Sequence, residues 1–181
     1  MKMKDFQKQL HKLDRTAVER LAELYRLPLL GFAFSYVRDE AVAEDVVSDA
    51  FVRLLVKQPR LRDECALKSY LFSTTKNIAL DCLRKKKREK ASVALIKQDG
   101  VRNAEWFVEH RLIENERQKE LSEAMTALND DYREALYLCY FEEMSIEEIA
   151  RTMGRTKKQT YNLLARAKKS LAEILGKEEE S

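Results

Sequence analysis

The chain has 181 residues and a net charge of +3, with 36% of its residues charged but only four glycines and two prolines. This composition favours a mostly helical protein, and so small a net charge means that any nucleic-acid binding must come from local clusters. The cysteines and histidines stand far apart and no apolar run approaches a membrane span of roughly 20 residues, so the sequence predicts no disulfide, metal, cofactor or membrane insertion.

The first predicted helices lie upstream of residue 59. Residues 15–36 are apolar with a helical period, and Pro28 is interpreted as the first residue of a new helical segment among them. Asp39 is the predicted N-cap of the following helix, which ends near Gln58 because Pro59 cannot continue it. The inner face of that helix is predicted to consist of Ala43, Val46, Val47, Ala50, Phe51 and Leu54. Its outer face carries the polar side chains of Glu44, Asp45, Ser48, Asp49 and Arg53.

A long helix with a basic end is predicted next, from about Leu67 to Lys90, after a loop that covers residues 59–66. Its predicted inner stripe is Leu67, Leu71, Thr74, Ile78, Ala79 and Cys82. The helix ends in Arg-Lys-Lys-Lys-Arg-Glu-Lys, with six positive charges against one negative. Because this exceeds what the helix dipole would favour, the run predicts a phosphate-binding surface of Arg84, Lys85, Lys86, Lys87 and Arg88.

Other features of this long helix fit contact with single-stranded nucleic acid. Tyr70 and Phe72 lie in its first turns, where aromatic rings upstream of a basic patch suit stacking on unpaired bases. For Phe72 we expect a place in the core instead. Asn77 lies on the same predicted face as Arg84 and Arg88, and we include it among the candidate contacts.

The helical period disappears over residues 91–104, which predicts a linker between two helical domains. Helix resumes near Glu105, and Asn129 begins a cap for a later helix. We therefore predict an all-α fold, with two small helical bundles joined by a flexible linker, the second of about four helices. The predicted boundaries are a first domain at 1–90, a linker at 91–114, a second domain at 115–176 and an acidic tail at 177–181.

The most informative stretch contains two consecutive helix starts separated by a glycine. Ser145 and Glu148 form a Ser-x-x-Glu capping box, ahead of apolar positions at Ile146, Ile149, Ala150 and Met153. Gly154 is able to close that helix, and Thr156 with Gln159 forms a second capping box. Two short helices joined by a tight turn predict a helix-turn-helix, whose second helix enters the major groove of DNA.

The periodicity of that second helix separates an apolar stripe from an exposed basic face. The stripe is Thr160, Leu163, Leu164, Ala167, Leu171, Ile174 and Leu175. Basic side chains neutralise phosphates, and amide, phenol and guanidinium groups reach base edges or backbone. The predicted DNA-contacting residues are Arg155, Lys157, Lys158, Gln159, Tyr161, Asn162, Arg166 and Lys169. The alternative interpretation of this face is an ordinary solvated helix surface.

Three blocks of the chain resemble the extracytoplasmic-function (group IV) sigma factors of bacterial RNA polymerase, within the sigma-70 family. Residues 43–55 are similar to the region-two helix of the family. Residues 68–84 resemble the segment that recognises and melts the minus-ten element, with Tyr70 where the family usually has tryptophan. Residues 128–171 resemble region four, although Thr160 stands where the family prefers valine and Lys158 replaces a common glycine.

The resemblance implies a promoter-specificity subunit that acts in the cytoplasm and catalyses nothing itself. It implies docking on the β′ clamp coiled coil and the β flap of core polymerase, with a contact surface of Asp45, Asp49, Phe51, Arg53 and Leu54. Tyr70, Asn77 and residues 84–88 would hold the minus-ten region, with an unpaired base captured by the loop at 57–67. The helix-turn-helix would read the minus-thirty-five element. The resemblance also implies that an anti-sigma factor regulates the protein and that its regulon serves a stress or envelope response. The free protein is expected to be a monomer.

Two other classes of function are compatible with parts of the sequence. An autonomous helix-turn-helix regulator would explain the C-terminal half, but it leaves the charged helix at 43–55 and the basic run at 84–90 without a role. A nuclease would need converging metal ligands. Asp45 and Asp49 are spaced to share one helix face, yet no third ligand joins them in the sequence pattern, and we expect no catalytic residue.

Overall fold

The structure is a computed structural model that describes residues 14–92 and 127–178, together with residues 8, 12, 121 and 123–125. Within this part of the chain the regular structure is helical throughout, and no strand is formed. The fold class predicted from the sequence is therefore confirmed. The chain divides into two compact units, Met1–Ile96 and Lys97–Ser181, which are called unit 1 and unit 2 below.

Unit 1 is built from three helices, α1 (Arg15–Val37), α2 (Glu40–Lys57) and α3 (Glu64–Ser92). Aspartate side chains begin the first two, since Asp14 accepts a hydrogen bond from the Ala17 amide and Asp39 accepts one from the Val42 amide, each at 3.1 Å. The cap predicted at Asp39 is confirmed. Arg38 ends α1 and Gln58 ends α2 in left-handed backbone conformations, so two short turns connect the three helices.

Helix α1 runs without a break through Pro28, so the prediction of a new helical segment at this residue was wrong. Proline inside a helix costs about 3 kcal/mol, because its ring clashes with the preceding turn and its nitrogen carries no hydrogen. The residues that follow are buried in the core, with Leu29 and Phe32 both fully enclosed. Burial of a large apolar side chain contributes about 1.5–3 kcal/mol, so packing outweighs the local preference.

Helix α3 begins at Glu64, three residues earlier than predicted. The Asp63 carboxylate accepts a hydrogen bond from the Ala66 amide at 2.7 Å, which satisfies an amide group of the first turn. The connection between α2 and α3 is thus residues 58–63, shorter than the predicted loop. Asp63 is a favourable N-cap residue, and this signal was overlooked in the sequence.

The core of unit 1 lies between the inner faces of its three helices. The rings of Phe32 on α1 and Phe72 on α3 pack edge to face, with their centroids 5.0 Å apart. Phe72 is fully buried, which confirms its expected place in the core. From α2 the core receives the inner stripe predicted for that helix, in which Ala43, Val46, Val47, Ala50 and Leu54 are buried and Phe51 is half-buried.

Unit 2 contains α4 (Asp130–Leu136), a π-helical segment (Tyr137–Phe141), α5 (Ile146–Met153) and α6 (Lys157–Glu178). Asn129 begins α4 by accepting a hydrogen bond from the Tyr132 amide at 2.9 Å, as predicted. The π-helical segment was not predicted. Its wider turn buries both Tyr137 and Leu138, two consecutive residues, and leaves Tyr140 half exposed.

Two details of unit 2 differ from the sequence prediction. Ile146, assigned to the apolar stripe of α5, is 37% exposed because it occupies the first position of that helix. Helix α6 continues to Glu178, so Gly176 doesn't end it and the predicted acidic tail begins within the helix. In unit 1, α3 continues to Ser92, so the first two residues of the linker predicted at 91–114 are helical. The rest of that linker and the helix expected near Glu105 lie outside the described residues. Among the helices of the described part, none is both long and apolar enough to span a membrane.

Candidate nucleic-acid interface

The helix-turn-helix predicted in unit 2 is present, and its turns are held by local hydrogen bonds. The Ser145 amide donates to the Glu148 carboxylate at 2.8 Å while the Glu148 amide donates to the Ser145 hydroxyl at 3.4 Å, which completes the first capping box. Gly154 then adopts a left-handed conformation with φ of 66° and ends α5. This geometry turns the chain sharply into α6.

Helix α6 begins with the second predicted capping box. The Thr156 amide donates to the Gln159 side-chain oxygen at 2.9 Å, and the Gln159 amide donates to the Thr156 hydroxyl at 3.2 Å. The side-chain oxygen of Gln159 is therefore engaged within the protein, and only its NH₂ group is left to donate to a base. The sequence predicts two roles for Gln159, in the capping box and in DNA contact. The structure shows that the first role occupies its side-chain oxygen.

The outer face of α6 is exposed as predicted. On the inner side Thr160 and Ala167 are fully buried, and Leu163 is half-buried, in agreement with its assignment to packing. The opposite side presents Lys157, Lys158, Gln159, Tyr161, Asn162, Arg166 and Lys169 to solvent, while Arg155 in the preceding turn is half-buried. Tyr161 is 63% exposed, so both its ring and its hydroxyl are accessible from solvent.

The cations of this surface differ in their surroundings. Arg155 forms an ion pair with Asp131 of α4 at 2.7 Å, and Lys157 forms one with Glu147 of α5. The hydrogen bond from Lys157, together with its charge, lowers the pKa of Glu147 below its ordinary value. Three further cations make no ion pair with any other residue that the structure describes, namely Lys158, Arg166 and Lys169.

A second cationic surface lies at the end of α3 in unit 1. Lys85, Lys86 and Lys87 are exposed and form no ion pair within the described ranges. Arg84 pairs with Asp81 at 2.7 Å, and the Arg88 side chain donates to the Arg84 carbonyl oxygen at 3.4 Å. The three lysines therefore offer exposed positive charge that no described carboxylate compensates, which suits phosphate binding.

The remaining candidates on α3 lie nearer its start. Tyr70 is half-buried, so its ring is partly available to a base, and Asn77 is exposed. The segment at 58–63, which precedes the helix, contains Arg60 and Arg62, both exposed. Tyr70 and Asn77 are thus on the same helix as the basic end of α3, and Arg60 and Arg62 lie in the connection that precedes it.

Helix α2 presents a separate surface that mixes charge with apolar groups. Asp45, Asp49 and Arg53 are exposed, and Phe51 is half-buried in a cleft between α1 and α2. Arg26 and Glu44 bridge that cleft with a 2.9 Å ion pair. Leu54, which we had placed on the contact surface, is only 4% exposed and belongs to the core.

Two exposed valines on α2 were missed by sequence reasoning. Val52 is 56% exposed and Val56 is 76% exposed, and with Asp49 and Arg53 they share one helix face at positions i, i+3, i+4 and i+7. The signal was available, because both residues fall outside the inner apolar stripe. Asp45 and Asp49 have no third potential metal ligand beside them, and no group of three such residues occurs anywhere in the described ranges.

Comparison with known families matches both units separately. Sigma-70 region 2 matches residues 21–89, which include α2 and the basic end of α3. Sigma-70 region 4 matches residues 118–171, which include the helix-turn-helix. The two matched segments occur in the same order as in the resemblance described above.

Similar proteins share this organisation along most of the chain. The ECF RNA polymerase sigma factor SigM of Bacillus subtilis is 26% identical over 158 residues, which cover 85% of this chain and 92% of that protein. The B. subtilis sigma factor SigV is 27% identical over 87% of both chains. The sigma factor RpoE of Bartonella quintana, solved in complex with the anti-sigma factor NepR, has a TM-score of 0.66 and 25% identity over 87% of this chain and 97% of that one. The chain therefore belongs to the extracytoplasmic-function group of the sigma-70 family, the promoter-specificity subunits of bacterial RNA polymerase.

Proposed function

We propose that the two units divide the work of promoter recognition between three surfaces. The exposed face of α2 docks on core polymerase, at the β′ clamp coiled coil, and unit 2 contacts the β flap. The basic end of α3, with Tyr70 and Asn77, holds the minus-ten region, and the outer face of α6 reads the minus-thirty-five element. We place the complex in the bacterial cytoplasm, where polymerase acts.

The observation that carries this proposal is the exposed face of α6. A helix held by two capping boxes and a glycine turn presents Lys158, Asn162 and Arg166 together, with neither cation compensated by a described carboxylate. Lysine and arginine bind phosphates, and asparagine and arginine pair with base edges in the major groove. This combination of positioning and reading groups fits a helix that recognises a duplex sequence.

The exposed face of α2 is better suited to bind a protein than a nucleic acid. Asp45 and Asp49 would repel phosphates, whereas Val52 and Val56 offer exposed apolar surface beside them. Interfaces between proteins commonly combine an apolar centre with a charged rim. Phe51 is half-buried on another side of α2, in the cleft that this helix forms with α1.

Attachment to polymerase explains how two modest DNA-binding surfaces act on one promoter. Once α2 is docked, each DNA surface meets its element as an intramolecular event at a high effective concentration. Capture of an unpaired minus-ten base costs a few kcal/mol, which stacking on Tyr70 and the pocket formed with residues 58–63 would offset.

The test is a charge reversal on α2. Asp45→Lys combined with Asp49→Lys is expected to abolish co-purification with core polymerase and promoter-dependent transcription in vitro, because both positions are exposed on the proposed docking face. Helicity measured by circular dichroism should stay unchanged.

The matched control carries the same charge change on a different helix. Glu19→Lys with Glu23→Lys reverses two exposed carboxylates of α1 at the same spacing, and it should preserve polymerase binding. Equal co-purification of the α2 variant and the wild-type protein would refute the docking surface. Specific binding to promoter duplexes without polymerase would favour the alternative of an autonomous regulator.

We also propose regulation by an anti-sigma factor that covers the α2 face. The support is the RpoE structure, which contains the anti-sigma factor NepR and is 25% identical to this chain. An inhibitor of this kind should compete with core polymerase, so its addition should release the chain from the core enzyme in proportion to its concentration. An inhibitor that left the polymerase complex intact would contradict this mode of regulation.

A further inference from the structure

Two cations at the start of α6 are held by carboxylates of the same protein. The Lys157 ammonium donates to Glu147 in the first turn of α5, and Arg155 pairs with Asp131 at the start of α4. Other cations on the same surface, Lys158 and Lys169, have no such pair among the described residues. The protein thus cancels part of the charge of its own DNA-binding surface.

We propose that Glu147 competes with DNA phosphate for Lys157 and so limits the affinity of the protein for DNA of any sequence. This inference rests on the proposed role of α6 in reading promoter DNA. It assigns a role in limiting DNA affinity to Glu147, which lies on the first helix of the helix-turn-helix and takes no part in its capping box.

The position of the ion pair supports competition with a phosphate. Lys157 is the first residue of α6, and the start of a helix carries partial positive charge that favours anions such as phosphate. Glu147 delivers a carboxylate to this place. The Glu147 carboxylate pairs with the Lys157 ammonium there, where a DNA phosphate would compete for the same cation.

The exposure of the pair makes it exchangeable. The side chains of Lys157 and Glu147 are 68% and 59% exposed, and ion pairs of this kind are weak. A phosphate at high local concentration would therefore displace Glu147. Arg155 differs, since it is only 33% exposed and its bond to Asp131 ties the turn before α6 to α4. We assign the competing role to Glu147 for this reason.

The expected consequence is a lower affinity for DNA of every sequence. Phosphate contacts add affinity for every duplex alike, whereas base contacts distinguish one sequence from another. A carboxylate that weakens one phosphate contact lowers binding to all DNA while the base contacts of Asn162 and Arg166 stay available. Because the lost contribution is common to promoter and random sequence, the ratio of the two affinities is unchanged, and the fraction of the protein bound to random DNA falls.

The test is Glu147→Gln in the full chain, with binding to a random-sequence duplex measured by fluorescence anisotropy between about 50 and 200 mM salt. We expect about threefold tighter binding at the lowest salt, and a plot of log affinity against log salt steeper by about 0.9, the contribution of one phosphate contact. Glu173→Gln is the control, since it removes one exposed carboxylate from α6 that forms no ion pair with a described residue.

A double variant shows whether the effect passes through Lys157. In a Lys157→Ala background, Glu147→Gln should change neither affinity nor salt dependence. An equal gain in that background, or the same gain with Glu173→Gln, would show a general charge effect and overturn the inference. Loss of helix stability in Glu147→Gln would weaken binding, so the expected sign also separates the two causes.

Failure of the proposed function would give a different pattern. If α6 contacts DNA, Lys158→Ala should reduce the magnitude of the slope of log affinity against log salt concentration by about 0.9. If Lys158→Ala and Arg166→Ala leave DNA binding unchanged, the proposed function of α6 fails and the inference about Glu147 with it. If Lys158→Ala has its effect and Glu147→Gln has none, only the inference about Glu147 is wrong.

Discussion

The cationic surfaces of the two units are constructed in opposite ways. At the end of α3, Lys85, Lys86 and Lys87 follow one another along an exposed helix and meet no described carboxylate. At the start of α6, Arg155 and Lys157 are each held by an acidic residue from another helix of the same unit. The first surface collects positive charges that have no partner among the described residues. In the second, two of the cations are held in place by ion pairs.

The difference teaches what each surface is suited to recognise. Uncompensated lysines on a helix end bind phosphates irrespective of sequence, because counterion release depends on charge alone. Side chains fixed by caps and ion pairs present donors and acceptors at defined positions, which reading a base edge requires. We therefore expect the two units to respond differently to the same kind of substitution.

The largest expected effect concerns the core that supports the first surface. Phe72→Ala should destabilise unit 1 by about 3–5 kcal/mol, because the ring is fully buried and packs against Phe32 at 5.0 Å. Urea unfolding of the full chain followed by circular dichroism should show a shifted transition for unit 1 and an unshifted one for unit 2. Val56→Ala, at a 76% exposed position, should change stability by less than about 0.5 kcal/mol. A single transition that shifts as a whole would mean that the two units unfold together.

Removal of the charge at the end of α3 should weaken binding to all sequences. For the triple variant Lys85→Ala, Lys86→Ala and Lys87→Ala, we consider the slope of log affinity against log salt concentration for promoter complexes. The magnitude of this slope should fall by roughly 2.7, or about 0.9 for each phosphate contact on duplex DNA. Binding would be measured with holoenzyme on several promoters over a range of salt. Arg20→Ala with Lys57→Ala, which removes exposed cations elsewhere in unit 1, should have little effect. A changed sequence preference in the triple variant would contradict the contrast between the surfaces.

Substitution on α6 should alter preference at one position. Asn162→Ala is expected to reduce discrimination at one base of the upstream element by about 1–3 kcal/mol, since asparagine pairs with an adenine edge when it reads DNA. Transcription of a promoter library by the reconstituted holoenzyme would report the preferred bases. A uniform loss across the library would show that Asn162 contacts the backbone only.

The smallest expected effect is loss of the first capping box. Ser145→Ala removes the acceptor for the Glu148 amide and should destabilise unit 2 by about 1 kcal/mol, measured by thermal unfolding. Ser48→Ala on α2 is the control, because Ser48 is exposed in a helix interior where alanine is at least as favourable. Equal stability of Ser145→Ala and the wild-type protein would indicate that Glu148 alone maintains this turn.

Signals carried by a few adjacent residues predicted much of the structure and the site. Helix caps and turns act through hydrogen bonds or backbone angles within four residues, so their effect can be predicted from the sequence. Examples are Asp39, Asn129, Gly154 and the capping boxes that begin at Ser145 and Thr156. The exposed face of α6 followed from the same helical period. Asp63 belongs to this class too, and its cap was missed although the signal was present.

Other features depend on residues far apart in the chain. Pro28 stays inside α1 because burial of the residues around it outweighs the local cost. The π-helical segment Tyr137–Phe141 continues an α-helix in a buried part of unit 2, and no local signal in the sequence predicts it.

The sequence by itself determined that this protein is helical, where most of its helices begin and end, and which face of α6 is basic. Capping, helical period and turn chemistry act over a few residues, and their outcome does not depend on the rest of the fold. Only the tertiary structure decided which cations of that face are free. Glu147 and Lys157 are ten positions apart, and Asp131 and Arg155 are twenty-four, so their ion pairs exist only because packing brings α4, α5 and the start of α6 together.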